Sequence, residues 1–133
     1  MKNVMLIGDS IRLGYEGRVR ELLGSDVTVF SPGENCRFTK FTLWGMFSWM
    51  EEWGNPHIDV IHWNTGIWDL HRCTADGENF TLLDEFVDTN RRLAIQMESY
   101  SEIPFPTPRR YISPTARSRG TKMSSATTKR RQS

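Results

Sequence analysis

Three times between residues 3 and 97 the chain passes from a short apolar run into a longer stretch with helical spacing. Residues 3–7 are the first run and stop at Gly8-Asp9-Ser10. Ile11, Tyr15, Val19, Leu22 and Leu23 then recur three or four apart, and Gly24 supplies a stop. Residues 27–30 read as a second strand, closed by Ser31-Pro32-Gly33. Phe38, Phe41, Trp44 and Phe47 follow at intervals of three in an aromatic helix running to Trp53. Residues 58–63 are a third strand, and a loop over 64–80 separates it from the third helix. Thr81 and Asp84 mark that helix as a capping box, and Leu83, Phe86, Val87, Leu93, Ala94 and Met97 are its main apolar residues. Strand and helix in strict alternation predict an α/β fold, a parallel sheet covered on both faces. A fourth strand is due near residue 103, where only Ile103-Pro104-Phe105 stands, broken by proline.

Charge divides the chain at about the same place. Residues 1–105 carry 16 acidic side chains against 9 Lys or Arg, whereas residues 106–133 carry 8 Lys or Arg and no acid. We read 1–105 as the folded domain and 106–133 as a basic, low-complexity tail without structure. The tail is the one feature that suits nucleic acid, but it lacks aromatics interleaved for base stacking, so nucleic acid is not an expected partner. No apolar stretch reaches membrane-spanning length, and no membrane association is expected. Cys36 and Cys73 are too few for a disulfide scaffold or a structural zinc site. They read as free thiols in a reducing, cytoplasmic compartment, and no metal is expected.

In a parallel sheet, ligands collect at the carboxyl ends of strands, and Gly8-Asp9-Ser10 is such an end. Gly8 permits a tight strand-to-helix turn. Ser10 at a helix N-terminus lies among free N–H groups that stabilise an oxyanion, although a serine there also suits a plain N-cap. A nucleotide- or phosphate-binding turn fits less well: there is no Gly-x-Gly-x-x-Gly and no Walker lysine, and Asp9 repels phosphate.

Three segments together resemble the SGNH (GDSL-like) hydrolases, serine esterases and lipases on a three-layer flavodoxin-like fold with helices on both faces. Residues 4–12, V-M-L-I-G-D-S-I-R, are similar to the first family block, in which the serine is the nucleophile, here Ser10. Residues 32–39, P-G-E-N-C-R-F-T, stand where the second block gives a backbone N–H to the oxyanion hole, and Gly33 and Asn35 are both candidates. Residues 59–69, D-V-I-H-W-N-T-G-I-W-D, cover the third block. Aligning Gly66 and Asp69 puts Trp68 where the family has asparagine, which leaves Asn64 as the nearest amide for the hole. Gly8, Asp9, Gly66 and Asp69 belong to the motifs as supporting residues, with Asp9 structuring the turn. The resemblance covers residues 2 to about 102 and implies hydrolysis of acyl or acetyl esters, on a small molecule or a carbohydrate, without cofactor.

The family's general base is a histidine in a late Asp-x-x-His block, and the sequence contains no such block. Of its three histidines, His57 precedes the third strand at the far end of the sheet, and His62 reads as a satisfied imidazole on a strand. His71 follows the third block and is the one able to approach the site. A serine without an adjacent base is a poor nucleophile, so the chain is expected to be inactive as it stands, its sheet incomplete on the C-terminal side. A single-base frameshift near residues 103–108 accounts for both the missing block and the charge break. From Arg109 one permitted shifted reading, T-P-V-Y-I-P-D-S-Q-V-A-G-N-E-D-V-I-R-Y-N-E-A-A, restores acids and the start of an apolar-periodic helix. The alternative function is a non-catalytic carbohydrate- or small-ligand-binding module using Trp44, Trp49, Trp53, Trp63 and Trp68 as stacking surfaces, against ordinary core packing for the same residues.

Overall fold

A computed structural model of the chain describes residues 1–101 and the backbone of residues 110–112. The strands are β1 (Lys2–Ile7), β2 (Val27–Phe30), β3 (Val60–Trp63) and β4 (Arg110–Ile112). The helices are α1 (Ser10–Leu23), α2 (Thr39–Glu52) and α3 (Leu83–Ser99). All pairings are parallel and the order is β2-β1-β3-β4, so β1 is an interior strand. Val4 stands in register with Val29 on one side and Val60 on the other. The α/β alternation read from the sequence is the architecture found. Among the described residues the fourth strand is at Arg110–Ile112. Tyr111 and Ile112 suit a strand, and an average over a long polar segment conceals so short a run. Residues 103–105, the rest of the basic segment and the stretch read as frameshifted otherwise lie outside the described residues.

Side-chain alternation along the strands fixes the layers. Met5 and Ile7 are in register with Ile61 and Trp63, and these four enter one core with Met46, Trp49 and Met50 of α2 and Leu93 and Met97 of α3. His62, between Ile61 and Trp63, faces the opposite way and meets the ring of Tyr15 on α1, centroids 5.9 Å apart. Helix α1 therefore covers one face of the sheet, and α2 and α3 cover the other.

Two helices bury only part of the face their apolar spacing predicts: Tyr15 and Val19 of α1 and Phe41 of α2 are half-buried as expected, and other positions differ. In α2 the buried residues are Thr39, Thr42, Gly45, Met46, Trp49 and Met50, while Trp44 and Phe47 of the aromatic stripe are 72% and 69% exposed. The small residues of that face meet the loops and the helix's own Trp49: Thr39 bonds Asp69 and Thr65, and the Thr42 hydroxyl donates to the Cys36 carbonyl at 2.8 Å. At Gly45 an added Cβ would stand 2.4 Å from the Trp49 ring, which lies back across the helix there. In α1, Ile11, Leu22 and Leu23 are exposed, and the one wholly buried residue is Arg12.

Arg12 is tolerated because nearly every hydrogen of its guanidinium has an acceptor. Nε donates to the Gly8 carbonyl at 3.3 Å, and Nη1 to the Pro32 carbonyl at 2.8 Å and the Glu16 carboxylate at 3.0 Å. Nη2 donates to the Glu34 carbonyl and lies 3.7 Å from the Cys36 sulfur. One side chain thus ties the β1–α1 turn to the β2–α2 loop. Burial opposes ionisation of Glu16, but hydrogen bonds from Ser31 and Arg12 and the nearby Arg12 and Arg20 charges outweigh it and hold the carboxyl below its ordinary range. Substituting Arg12→Ala leaves the Pro32 and Glu34 carbonyls without that donor and opens a cavity, at a cost of roughly 3–5 kcal/mol by urea denaturation. Arg12→Lys should recover little of this, since an ammonium cannot span the same acceptors. A lysine variant as stable as the parent would show that charge alone suffices.

Candidate active site at the carboxyl end of the sheet

β1 ends at Ile7 and the chain turns into α1 within two residues. Asp9 is the N-cap, its Oδ1 accepting from the Ile11 N–H at 3.0 Å. Ser10 is therefore the first residue inside the helix and not its cap. It is exposed, and among the described residues none hydrogen-bonds its hydroxyl. The turn is tight because β3 presses on it. A Cβ on Gly8 would stand 2.5 Å from Asn64 Oδ1 and 2.6 Å from Arg12 Cβ, so glycine is required there by close approach.

Asn64, the first residue past β3, is what occupies that space. Its N–H donates to the Ile7 carbonyl at 3.0 Å, and its Oδ1 accepts from the Asp9 N–H at 3.2 Å. Its Nδ2 donates to Tyr15 Oη at 3.4 Å, and Tyr15 Oη lies 3.2 Å from His62 Nδ1. Burial pushes the Tyr15 hydroxyl above its ordinary pKa, with the Arg12 charge and the Asn64 bond opposing, and burial pushes His62 below its own.

The second candidate loop is held against the same turn. The Cys36 N–H donates to the Gly8 carbonyl at 3.1 Å, in addition to the Arg12 bonds. Trp49 Nε1 reaches the Glu34 carboxylate at 3.3 Å and anchors the loop to α2. Gly33 is exposed on this loop. Asn35 is half-buried and turns its own Oδ1 to the Arg37 N–H at 2.7 Å, supporting Arg37 at a φ of 54°. Cys36 is buried and its thiol pKa is raised by that burial, so it is no nucleophile.

Asp69 serves the scaffold. Its buried carboxylate accepts from the Thr39 N–H at 3.1 and 3.2 Å, the Thr39 hydroxyl at 2.7 Å and the Thr81 hydroxyl at 2.6 Å. It therefore caps α2 from a distant loop, where the helix's own N-cap, Phe38, has no side chain to do so. Thr81 is consequently not a capping-box residue: α3 begins at Leu83, after Leu82. Gly66 has a φ of 132°, a backbone that favours glycine.

The structure brings together Gly8, Asp9, Ser10 and Asn64, with Gly33 and Asn35 on the loop pinned to them. The histidines are elsewhere engaged. His57 bonds Asp59 Oδ1 at 3.2 Å while its carbonyl accepts from Asn3, at the amino end of the sheet. His71 is exposed and its ring lies 5.9 Å from that of Trp68. Among the described residues no three His, Cys, Asp or Glu converge as metal ligands would, and no helix is long and apolar enough to cross a membrane. Of the tryptophans, Trp49 and Trp63 are core, Trp53 and Trp68 are half-buried, and Trp44 is exposed. Trp44 and Phe47 line a groove of about 610 Å³ with Phe38, Phe41, Lys40 and Arg92. Sequence reasoning missed Arg12, Tyr15 and Thr39. The one available signal was Glu16, four residues after Arg12. Neither a protein-family model, nor a curated protein, nor a solved structure matches the chain.

Gly8→Ala should destabilise the chain by about 1–3 kcal/mol, because Asn64 and the Arg12 backbone side of the contact cannot both give way. Chemical denaturation measures this, and an unchanged midpoint would mean the turn is looser than it stands. A second expectation concerns pH. The unfolded chain protonates His62 near the ordinary value of 6.5, whereas the folded chain holds it lower. The stability His62 contributes is thus full above about 6.5 and lost as pH falls through the folded value. His62→Gln should flatten the pH dependence of the melting temperature across that window, and a slope equal to the parent's would assign it to other groups.

Proposed function

We propose that the carboxyl end of the sheet is the nucleophile side of a serine ester hydrolase site of the SGNH type, with Ser10 as nucleophile. The observation that carries this reading is Ser10 itself: exposed, with no protein partner for its hydroxyl among the described residues, and at the first position of α1. The strand order supports it. With β1 between β2 and β3, the chain reverses direction across the sheet at this strand, which is where open α/β sheets bind ligands, and the β2-β1-β3-β4 order is the beginning of the flavodoxin-like one.

On this reading Ser10 Oγ attacks the carbonyl carbon of an acyl or acetyl ester. The carbonyl oxygen takes up the charge beside the free N–H groups of the first turn of α1 and those of the Gly33–Asn35 loop, with Asn64 as the amide of the hole. The tetrahedral adduct collapses, the alcohol leaves with a proton, and water releases the acyl group. No described histidine is bonded to Ser10, so the serine proton goes to solvent or buffer. Catalysis from the oxyanion hole and binding alone amounts to on the order of 10³–10⁴ over water.

Hydrolysis of p-nitrophenyl acetate should accordingly be slow, should rise with added imidazole beyond imidazole's own rate, and should lose that extra component in Ser10→Ala. With imidazole supplied as the base, a fluorophosphonate should label Ser10, as read by peptide mass spectrometry. An imidazole response identical in Ser10→Ala would overturn the assignment.

The exposure of Trp44 and Phe47 beside Lys40 and Arg92 favours a second reading, a carbohydrate-binding face on the α2–α3 groove. It is separable from the first: Ser10→Ala would keep sugar binding, while Trp44→Ala would abolish it.

A further inference from the structure

We propose that Tyr15 is a positioning residue of this site, setting which way the Asn64 carboxamide faces. Hydrogen-bond direction decides the matter. The Asp9 N–H can only donate, so the atom 3.2 Å from it must be the carbonyl oxygen of the Asn64 side chain. That orientation turns Nδ2, a donor, toward Tyr15 Oη at 3.4 Å. Tyr15 then accepts from Asn64, and in the proposed arrangement its own hydrogen goes to His62 Nδ1, 3.2 Å away, with His62 neutral and its proton on Nε2. The four groups form a directional chain, Asp9 N–H to Asn64 to Tyr15 to His62, and a reversed carboxamide would set N–H against N–H at its first link.

The consequence for the site lies in what remains unspent. Nδ2 carries two hydrogens and Tyr15 takes one, so the second has no protein partner among the described residues. This role rests on the reading of Ser10 as the nucleophile. Asn64 serves the oxyanion only if its oxygen stays on the Asp9 N–H, because a flipped group offers an acceptor where a donor is needed. Leu or Phe at position 15 would fill the space as well as tyrosine and could not enforce this. His62 is the other end of the chain: an unprotonated Nδ1 takes the Tyr15 hydrogen and leaves the Tyr15 oxygen to accept from Asn64, so both ends favour the same carboxamide orientation.

The experiment begins with the unsubstituted protein. Nitrogen-15 chemical shifts of His62 should report the Nε2–H tautomer with an unprotonated, hydrogen-bonded Nδ1. An Nδ1–H tautomer would reverse the chain and overturn the proposal. In Tyr15→Phe the Asp9 amide should exchange faster with solvent and the two Asn64 side-chain protons should lose their separate shifts. The fluorophosphonate labelling rate at Ser10 should fall about tenfold, with the melting temperature nearly unchanged. Unmoved Asp9 and Asn64 signals in that variant would also overturn the proposal. If Ser10→Ala labels as fast as the parent, the nucleophile reading fails, while the tautomer and amide signals still decide whether Tyr15 orients Asn64.

Discussion

A guanidinium shut away from water must find an acceptor for each N–H it keeps, or the fold that buries it loses several kcal/mol. Arg12 meets this demand with backbone carbonyls from two separate connections, Gly8 on one side and Pro32 and Glu34 on the other. Carbonyls of loops are ordinarily satisfied by solvent, so loops ordinarily wander. Here a single planar fork removes that freedom from both at once. The positions of Ser10 and of the Gly33–Asn35 segment are in this sense one fact. Cys36, which bonds Gly8 through its N–H and faces the same guanidinium, closes the arrangement.

Asp69 plays the corresponding part on the other side of the site. Its carboxylate holds the first turn of α2 and the segment before α3, and so fixes where the loop leaving β3 can run. Two charged residues of opposite sign, each buried and each satisfied, thus replace what would otherwise be long flexible connections. Both are scaffold, while the Ser10 hydroxyl beside them is exposed and has no protein partner among the described residues.

The order of strands and helices was legible from spacing because each element is bounded by strong signals, such as Gly24 after α1 and Pro32-Gly33 after β2. The buried faces were not. Apolar periodicity weights the largest side chains, and α2 buries threonines and a glycine while showing Trp44 and Phe47 to solvent. Ser10 could be singled out since it stands at a strand exit, where an α/β sheet gathers its chemistry, and Asn64 through the resemblance of residues 59–69 to a family block. Arg12 could not, because the reason for its burial is a set of carbonyls 20 and 22 residues away. The same holds for Asp69, which reads as a motif residue but whose partner Thr39 is 30 positions distant. Hydrogen bonds across such separations leave no local pattern.

An interior first strand also has a kinetic meaning. β1 is made before the other described elements, yet its second partner is β3, and the Asp59 and His57 groups that bond Asn3 stand 56 and 54 residues later. The turn bearing Ser10 is therefore made before β3 and completed late: Arg12 and Cys36 can reach Gly8 early, but Asn64 joins only with β3. Contacts of that span make the folding of this end slow and all-or-none relative to the helices. A nascent chain that has not yet reached β3 already holds Arg12 and the Gly33–Asn35 loop beside Ser10, and what it lacks is Asn64 and the third strand that hold the turn in place.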